Sequence, residues 1–154
     1  MVAKAIYCDT GSVIYIQPRD ESKLIETGYR LGDMTSELRP TEYISEFVSG
    51  GPKNYAYKII VTVTGWTDTV CKVRGITLNY NAKQLMNFEV IRDMILGMGG
   101  SEPTVTVHTE RKIKRKRKGG GTVAVVTEPE DKLYRISFFK RRVGDNTSGP
   151  FRYK

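Results

Sequence analysis

Histidine, cysteine and tryptophan are scarce in this 154-residue sequence, which holds one His (His108), two Cys (Cys8 and Cys71) and one Trp (Trp66). A lone imidazole and two distant thiols match no zinc-ligand spacing, which argues against a structural zinc site. Two cysteines are too few for a disulfide scaffold. With no secretory signal after Met1, the thiols are expected to be reduced and the protein intracellular. No apolar run approaches the roughly 20 residues a membrane-crossing helix needs, so no membrane partner is expected. Internal repeats are missing as well.

Acidic residues are scarce at one end only. Residues 1–100 carry 11 Lys+Arg and 11 Asp+Glu, whereas residues 101–154 carry 14 and 6, which accounts for the whole net charge of +8. Seven of the eight positions from Arg111 to Lys118 are basic. Such asymmetry points to a partner of dense negative charge, nucleic acid first, with a nuclear localisation signal as an alternative or additional use of the run. The remainder, 39% hydrophobic and 27% charged, is ordinary for a soluble chain. It suffices for one domain with a core or for two small lobes.

The pattern of the chain predicts an α+β fold. Apolar runs on either side of Asp9-Thr10-Gly11 predict a β-hairpin that presents a carboxylate at its tip, with Gly11 suited to a tight turn. A polar loop follows at 17–26, then a short strand and turn at 31–38. Strands are expected at 43–48, 54–63 and 69–76, with turns at Gly50-Gly51-Pro52 and around Gly65 and Trp66. Trp66 is expected to cap the core, with stacking on a base as the alternative. Lys53-Asn54 lacks the Ser or Thr of a phosphate loop. On a strand of period two, Lys53, Tyr55 and Tyr57 would share one face, as would Lys72 and Arg74. Asn81, with Gln84 three residues on, is expected to open a helix whose stripe is Phe88, Ile91, Ile95 and Met98, closed by Gly97, Gly99 and Gly100. Three strands follow at 104–118, 122–127 and 132–142.

Tyr7-Cys8-Asp9-Thr10-Gly11-Ser12 resembles motif C of family B DNA polymerases, Tyr-x-Asp-Thr-Asp-Ser, with Gly11 in place of the second Asp. The likeness continues through Leu31-Gly32-Asp33-Met34-Thr35-Ser36-Glu37-Leu38, through Cys71-Lys72-Val73-Arg74-Gly75-Ile76-Thr77-Leu78-Asn79-Tyr80, and through Pro150-Phe151-Arg152-Tyr153. Lys53-Asn54-Tyr55 is similar to the Lys-x-Tyr motif of the protein-primed members, those of virus-like transposons, linear plasmids and viruses. The resemblance implies a C-terminal palm part at 1–80, with motif C hairpin and Lys-x-Tyr strand, and a small β-rich thumb-like region at 81–154. It implies DNA-directed DNA polymerase descent, with nucleotide binding, nucleotidyl transfer and DNA replication as the family's business.

Two-metal phosphoryl transfer needs paired carboxylates. Asp9 matches the supporting Asp, while Gly11 removes the principal metal ligand of the hairpin. Mg²⁺ is therefore the family's cofactor but is not expected to be held tightly by Asp9 here. Motif A, the fingers and the exonuclease domain would precede motif C, so the sequence given is expected to be inactive alone, as a DNA-binding palm/thumb fragment. Its expected contacts with primer–template DNA are Lys53, Tyr55, Lys72, Arg74, Lys112, Lys114, Arg115 and Lys116. A missing polymerase half or a terminal protein is the other partner the resemblance suggests. Two alternatives stand beside this reading: the C-terminal part of an active polymerase, and a small basic RNA-binding protein.

Overall fold

The apolar runs flanking Asp9-Thr10-Gly11 pair as β1 (Lys4–Asp9) and β2 (Ser12–Ile16), closing at Asp9↔Ser12. The computed structural model describes residues 4–97, 104–136, 141–143 and 148–150. A bulge falls at Ile6, where the register steps from Ala5↔Tyr15 to Tyr7↔Ile14. At the tip Thr10, and not Gly11, adopts the left-handed conformation, with φ 51°. The expected reason for a glycine at position 11 therefore does not hold. Residues 17–41 form turns and loops, and the short strand expected at 31–38 reduces to a single parallel bridge, Thr27↔Met34.

β3 (Glu42–Ser49), β4 (Tyr55–Val61) and β5 (Thr67–Lys72) form an antiparallel sheet in that order. Register assigns its two faces. Val48, Ala56 and Cys71 align on one; Phe47, Tyr57 and Val70, with Ser49, Tyr55 and Lys72, align on the other. Two expectations fail at the ends of these strands. Lys53 lies in the β3–β4 turn at φ 59°, not on the strand. β5 stops at Lys72, so Arg74 sits in a turn rather than beside Lys72 on a strand. Trp66 is 58% exposed and does not cap the core.

The expected single helix is two. α1 (Tyr80–Leu85) is capped by Asn79, not Asn81, and α2 (Phe88–Ile95) by Asn87; each cap side chain accepts from the backbone N–H three residues on, at 2.9 Å. A competent N-cap at Asn87 stops one helix and starts the next. Phe88, Ile91 and Met94 form the buried stripe of α2, which packs on β3, β4 and β5. Ile95 packs at its margin; Met98, Gly99 and Gly100 lie outside the described residues.

The last part is a long antiparallel ribbon, β6 (Thr104–Arg117) and β7 (Val123–Arg135), joined across Gly119-Gly120-Gly121. Its 13–14 residues per strand span about 45 Å at ~3.3 Å per residue. The two strands expected at 122–127 and 132–142 are one. Pro129, which has no N–H to donate, lies opposite a bulge between Thr109↔Glu130 and Lys112↔Glu128, where its missing donor does not interrupt the ladder. Short strands β8 (Arg141–Val143) and β9 (Ser148–Pro150) pair with each other. Residues 137–140 and 151–154 of the expected strand and tail lie outside the described residues.

One buried cluster joins these parts: Ala56 and Val73 from the sheet side, Ala82, Met86, Phe88, Ile91 and Met94 from the helical region, and Val107 and Tyr134 from the ribbon base. The cluster draws residues from both sides of position 80/81. The fold is α+β, with antiparallel sheets and, among the described residues, two α-helices.

Candidate nucleic-acid interface

The sheet face opposite α2 gathers aromatic rings. Tyr7 from the first hairpin lies 4.7 Å from Tyr55 and 5.8 Å from Phe47, centroid to centroid. Tyr55 is 6.0 Å from Phe47, and it stacks nearly parallel to Tyr57 at 6.2 Å and 9°. Burial, and then the neighbouring Tyr7 and Tyr57, raise the Tyr55 hydroxyl above its usual range, further from ionisation than an ordinary tyrosine. Burial also raises Tyr57.

Lys53 closes this cluster at one end. Its backbone N–H donates to Tyr7 Oη at 3.1 Å, and its ammonium stands 3.7 Å from Asp9 Oδ2. A left-handed lysine costs on the order of 1 kcal/mol, which the hydrogen bond to Tyr7 helps offset. Lys72, the register partner of Tyr55, sits at the same end of the sheet face. The structure therefore brings Tyr7, Asp9, Lys53, Tyr55 and Lys72 together from three separate stretches. A positive rim beside aromatic edges suits a phosphate and its attached sugar or base. Sequence reasoning missed Phe47, which had no signal beyond being apolar on a strand.

No family model, curated protein or solved structure matches the chain.

Arg74 is elsewhere. Its backbone N–H donates to Asn54 Oδ1 at 2.9 Å, and it lines a polar cleft of about 390 Å³ with Lys132 and Arg135 between the Arg74–Ile76 turn and β7. The ribbon lysines are also distant in role from the aromatic face. Lys112, Lys114 and Lys116 share one ribbon face with Glu128 and Glu130, while Arg115 lies on the other. Lys114 pairs with Glu130 at 3.4 Å, Lys132 with Glu130 at 3.6 Å, and Lys116 with Glu128. For Glu130, partial burial works against ionisation, but the Lys114 hydrogen bond and the charges of Lys114, Lys132 and Lys112 outweigh it and lower the carboxyl below its usual range.

The donor set at the hairpin tip does not fit Mg²⁺. Asp9 Oδ1 accepts from Thr10 Oγ1 at 2.9 Å, Oδ2 faces Lys53, and Gly11 supplies no side-chain oxygen. Among the described residues no group of three His, Cys, Asp or Glu side chains is arranged to hold a metal ion. Burial, then Glu89, push the half-buried Cys71 thiol up to about 11, which keeps it protonated at neutral pH.

Gly11 has room for a carboxylate. A Cβ built there meets nothing within 4 Å, and its backbone is not left-handed. Gly11→Asp is expected to fold with stability within about 0.5 kcal/mol of the parent. It should gain a modest melting-temperature increase in millimolar Mn²⁺, because a second carboxylate joins Asp9. A melting temperature indifferent to Mn²⁺ would show that the tip is not a latent metal site.

Proposed function

We propose that the chain is a DNA-binding module of the palm–thumb kind found in family B DNA polymerases, one that holds a primer–template end without adding nucleotides by itself. The observation that carries this reading is the meeting of Tyr7 and Asp9 with Lys53 and Tyr55 across 46 residues of sequence, through the Lys53 N–H to Tyr7 Oη bond and the Lys53–Asp9 pair. These are the two stretches that resemble motif C and Lys-x-Tyr. A merely basic protein has no reason to build that contact.

The module's chemistry follows from the site. Lys53 and Lys72 neutralise phosphates, and the Tyr55 and Tyr57 hydroxyls, which hydrogen-bond to no described residue, can donate to sugar or phosphate oxygens. The rings offer packing surface that does not discriminate among bases.

The test is fluorescence anisotropy with a recessed primer–template junction and a blunt duplex of equal length. Tyr55→Ala is expected to weaken junction binding by about 1–3 kcal/mol, roughly 5- to 150-fold, and blunt-duplex binding much less. Tyr55→Phe keeps the ring in its cluster and isolates the hydroxyl, so it reads the site even where the alanine variant folds poorly. Equal losses on both substrates, or none with folding intact, would end the junction reading. Single-stranded RNA as competitor addresses the alternative of a basic RNA-binding protein, which predicts RNA displacing DNA at lower concentration.

A further inference from the structure

We infer that the β6–β7 ribbon presents a single nucleic-acid-binding face, built from Arg115, Arg117, Ile113, Val123 and Val125, and that the lysine-rich face beside it is a partly neutralised support. The inference rests on the proposed nucleic-acid binding and names the surface that carries the duplex. In sequence, the run from Arg111 to Lys118 reads as one continuous patch of charge. Register splits it, because alternate residues of a strand point to opposite sides.

On one side, Lys112, Lys114 and Lys116 stand with Glu128 and Glu130. Lys114 and Lys116 lean back towards the ribbon base to reach Glu130 and Glu128, each four residues beyond its own register partner Val126 or Ala124. A phosphate approaching these lysines meets two carboxylates as well. Exposed ion pairs are weak, but displacing one leaves a Glu facing the incoming anion.

On the other side, Arg115 pairs in register with Val125, Arg117 with Val123, and Ile113 with Thr127. Neither arginine has an acidic partner within 4 Å among the described residues. Two acids lie on this face, both nearer the base: Asp131 is taken by His108, and Glu110 sits in the bulge. Ile113, Val123 and Val125 are 70%, 58% and 69% exposed, so the arginines stand among uncovered apolar side chains.

Charge complementarity selects the occupant. A second copy meeting the outer half of this face, from Ile113 to Arg117, would bring four arginines together with no carboxylate between them. A nucleic-acid duplex supplies phosphates to the guanidinium forks and apolar sugar edges to the valines and isoleucine. A two-stranded ribbon also has a cross-section that the major groove admits.

The experiment compares two charge-matched variants of the full chain, Arg115→Gln/Arg117→Gln and Lys114→Gln/Lys116→Gln. Affinity for a fluorescent DNA duplex is measured over a salt series, and circular dichroism checks the fold. The arginine pair is expected to flatten the slope of log affinity against log salt by about 1.8, two phosphate contacts at ~0.9 each, and to weaken binding about 10-fold or more at moderate salt. The lysine pair is expected to change affinity less than about 3-fold. Equal losses for the two pairs, or a larger loss for the lysines, overturn the inference. So does arginine-dependent capture by vesicles containing phosphatidylserine that exceeds capture by duplex. A parent protein that binds no nucleic acid refutes the proposed function itself. If instead the parent binds and Tyr55→Ala shows its junction effect while neither ribbon pair matters, this inference alone is refuted.

Discussion

Replacing Phe88 by Ala is expected to lower the unfolding free energy by about 3–5 kcal/mol. Among the described residues Phe88 is the largest fully buried side chain, and it begins the stripe that α2 lays on the sheet. Its ring also lies under two cations, with Lys58 Nζ 4.8 Å from the centroid and Arg92 6.0 Å. Truncation therefore removes apolar burial, leaves a void between helix and sheet, and strands two charges that had an aromatic face beside them. Against a total stability of roughly 5–15 kcal/mol for an ordinary domain, this is enough to populate unfolded chains at moderate temperature. Urea unfolding followed by circular dichroism measures it. A loss below about 1.5 kcal/mol would mean that α2 does not anchor the core as described.

Asn54→Ala is expected to cost about 1–3 kcal/mol, the range for leaving a buried donor without its acceptor. Asn54 is 2% exposed and ties together two turns. Its backbone N–H donates to the Gly51 carbonyl at 3.0 Å, its carbonyl accepts from Gly50 N–H at 2.9 Å, and its side chain accepts the Arg74 N–H. Alanine keeps the first two bonds and removes the third. The same variant should accelerate amide hydrogen exchange at Arg74 while the β6–β7 amides keep their protection. If exchange at Arg74 is unchanged, water or another group has replaced Asn54 and the stability loss should vanish with it.

The sequence disclosed the elements whose signals are local. The Asp9-Thr10-Gly11 hairpin and the strands around Tyr43–Val48 and Tyr55–Val61 were legible from alternation and turn residues. Three features were not, because they are settled by competition or by tertiary contact. Asn79, Asn81 and Asn87 all have the side chain of an N-cap, and only the packing of Ala82 and Phe88 into one core decides which two act. Pro129 looks like a strand terminator until a bulge sets two residues, Glu110 and Arg111, opposite it. Lys53 looks like a strand residue, yet the hydroxyl of Tyr7, far away in sequence, helps hold it in a left-handed turn. For the candidate site, the motifs pointed to Asp9, Lys53, Tyr55 and Lys72, which do converge, but also to Arg74 and to a single basic edge, which the structure separates.

The ribbon also has a bearing on how the protein survives at high concentration. Among the described residues β6 and β7 pair only with each other, so each offers an outer row of backbone donors and acceptors along some 45 Å. Such open edges invite strand-to-strand joining between molecules. Here Lys and Arg crowd one strand, while a proline and a bulge interrupt the flatness of the pair. Neutralising the run would thus remove more than affinity for an anion: it would unmask a template for aggregation, and the protein should become less soluble as its charge is stripped.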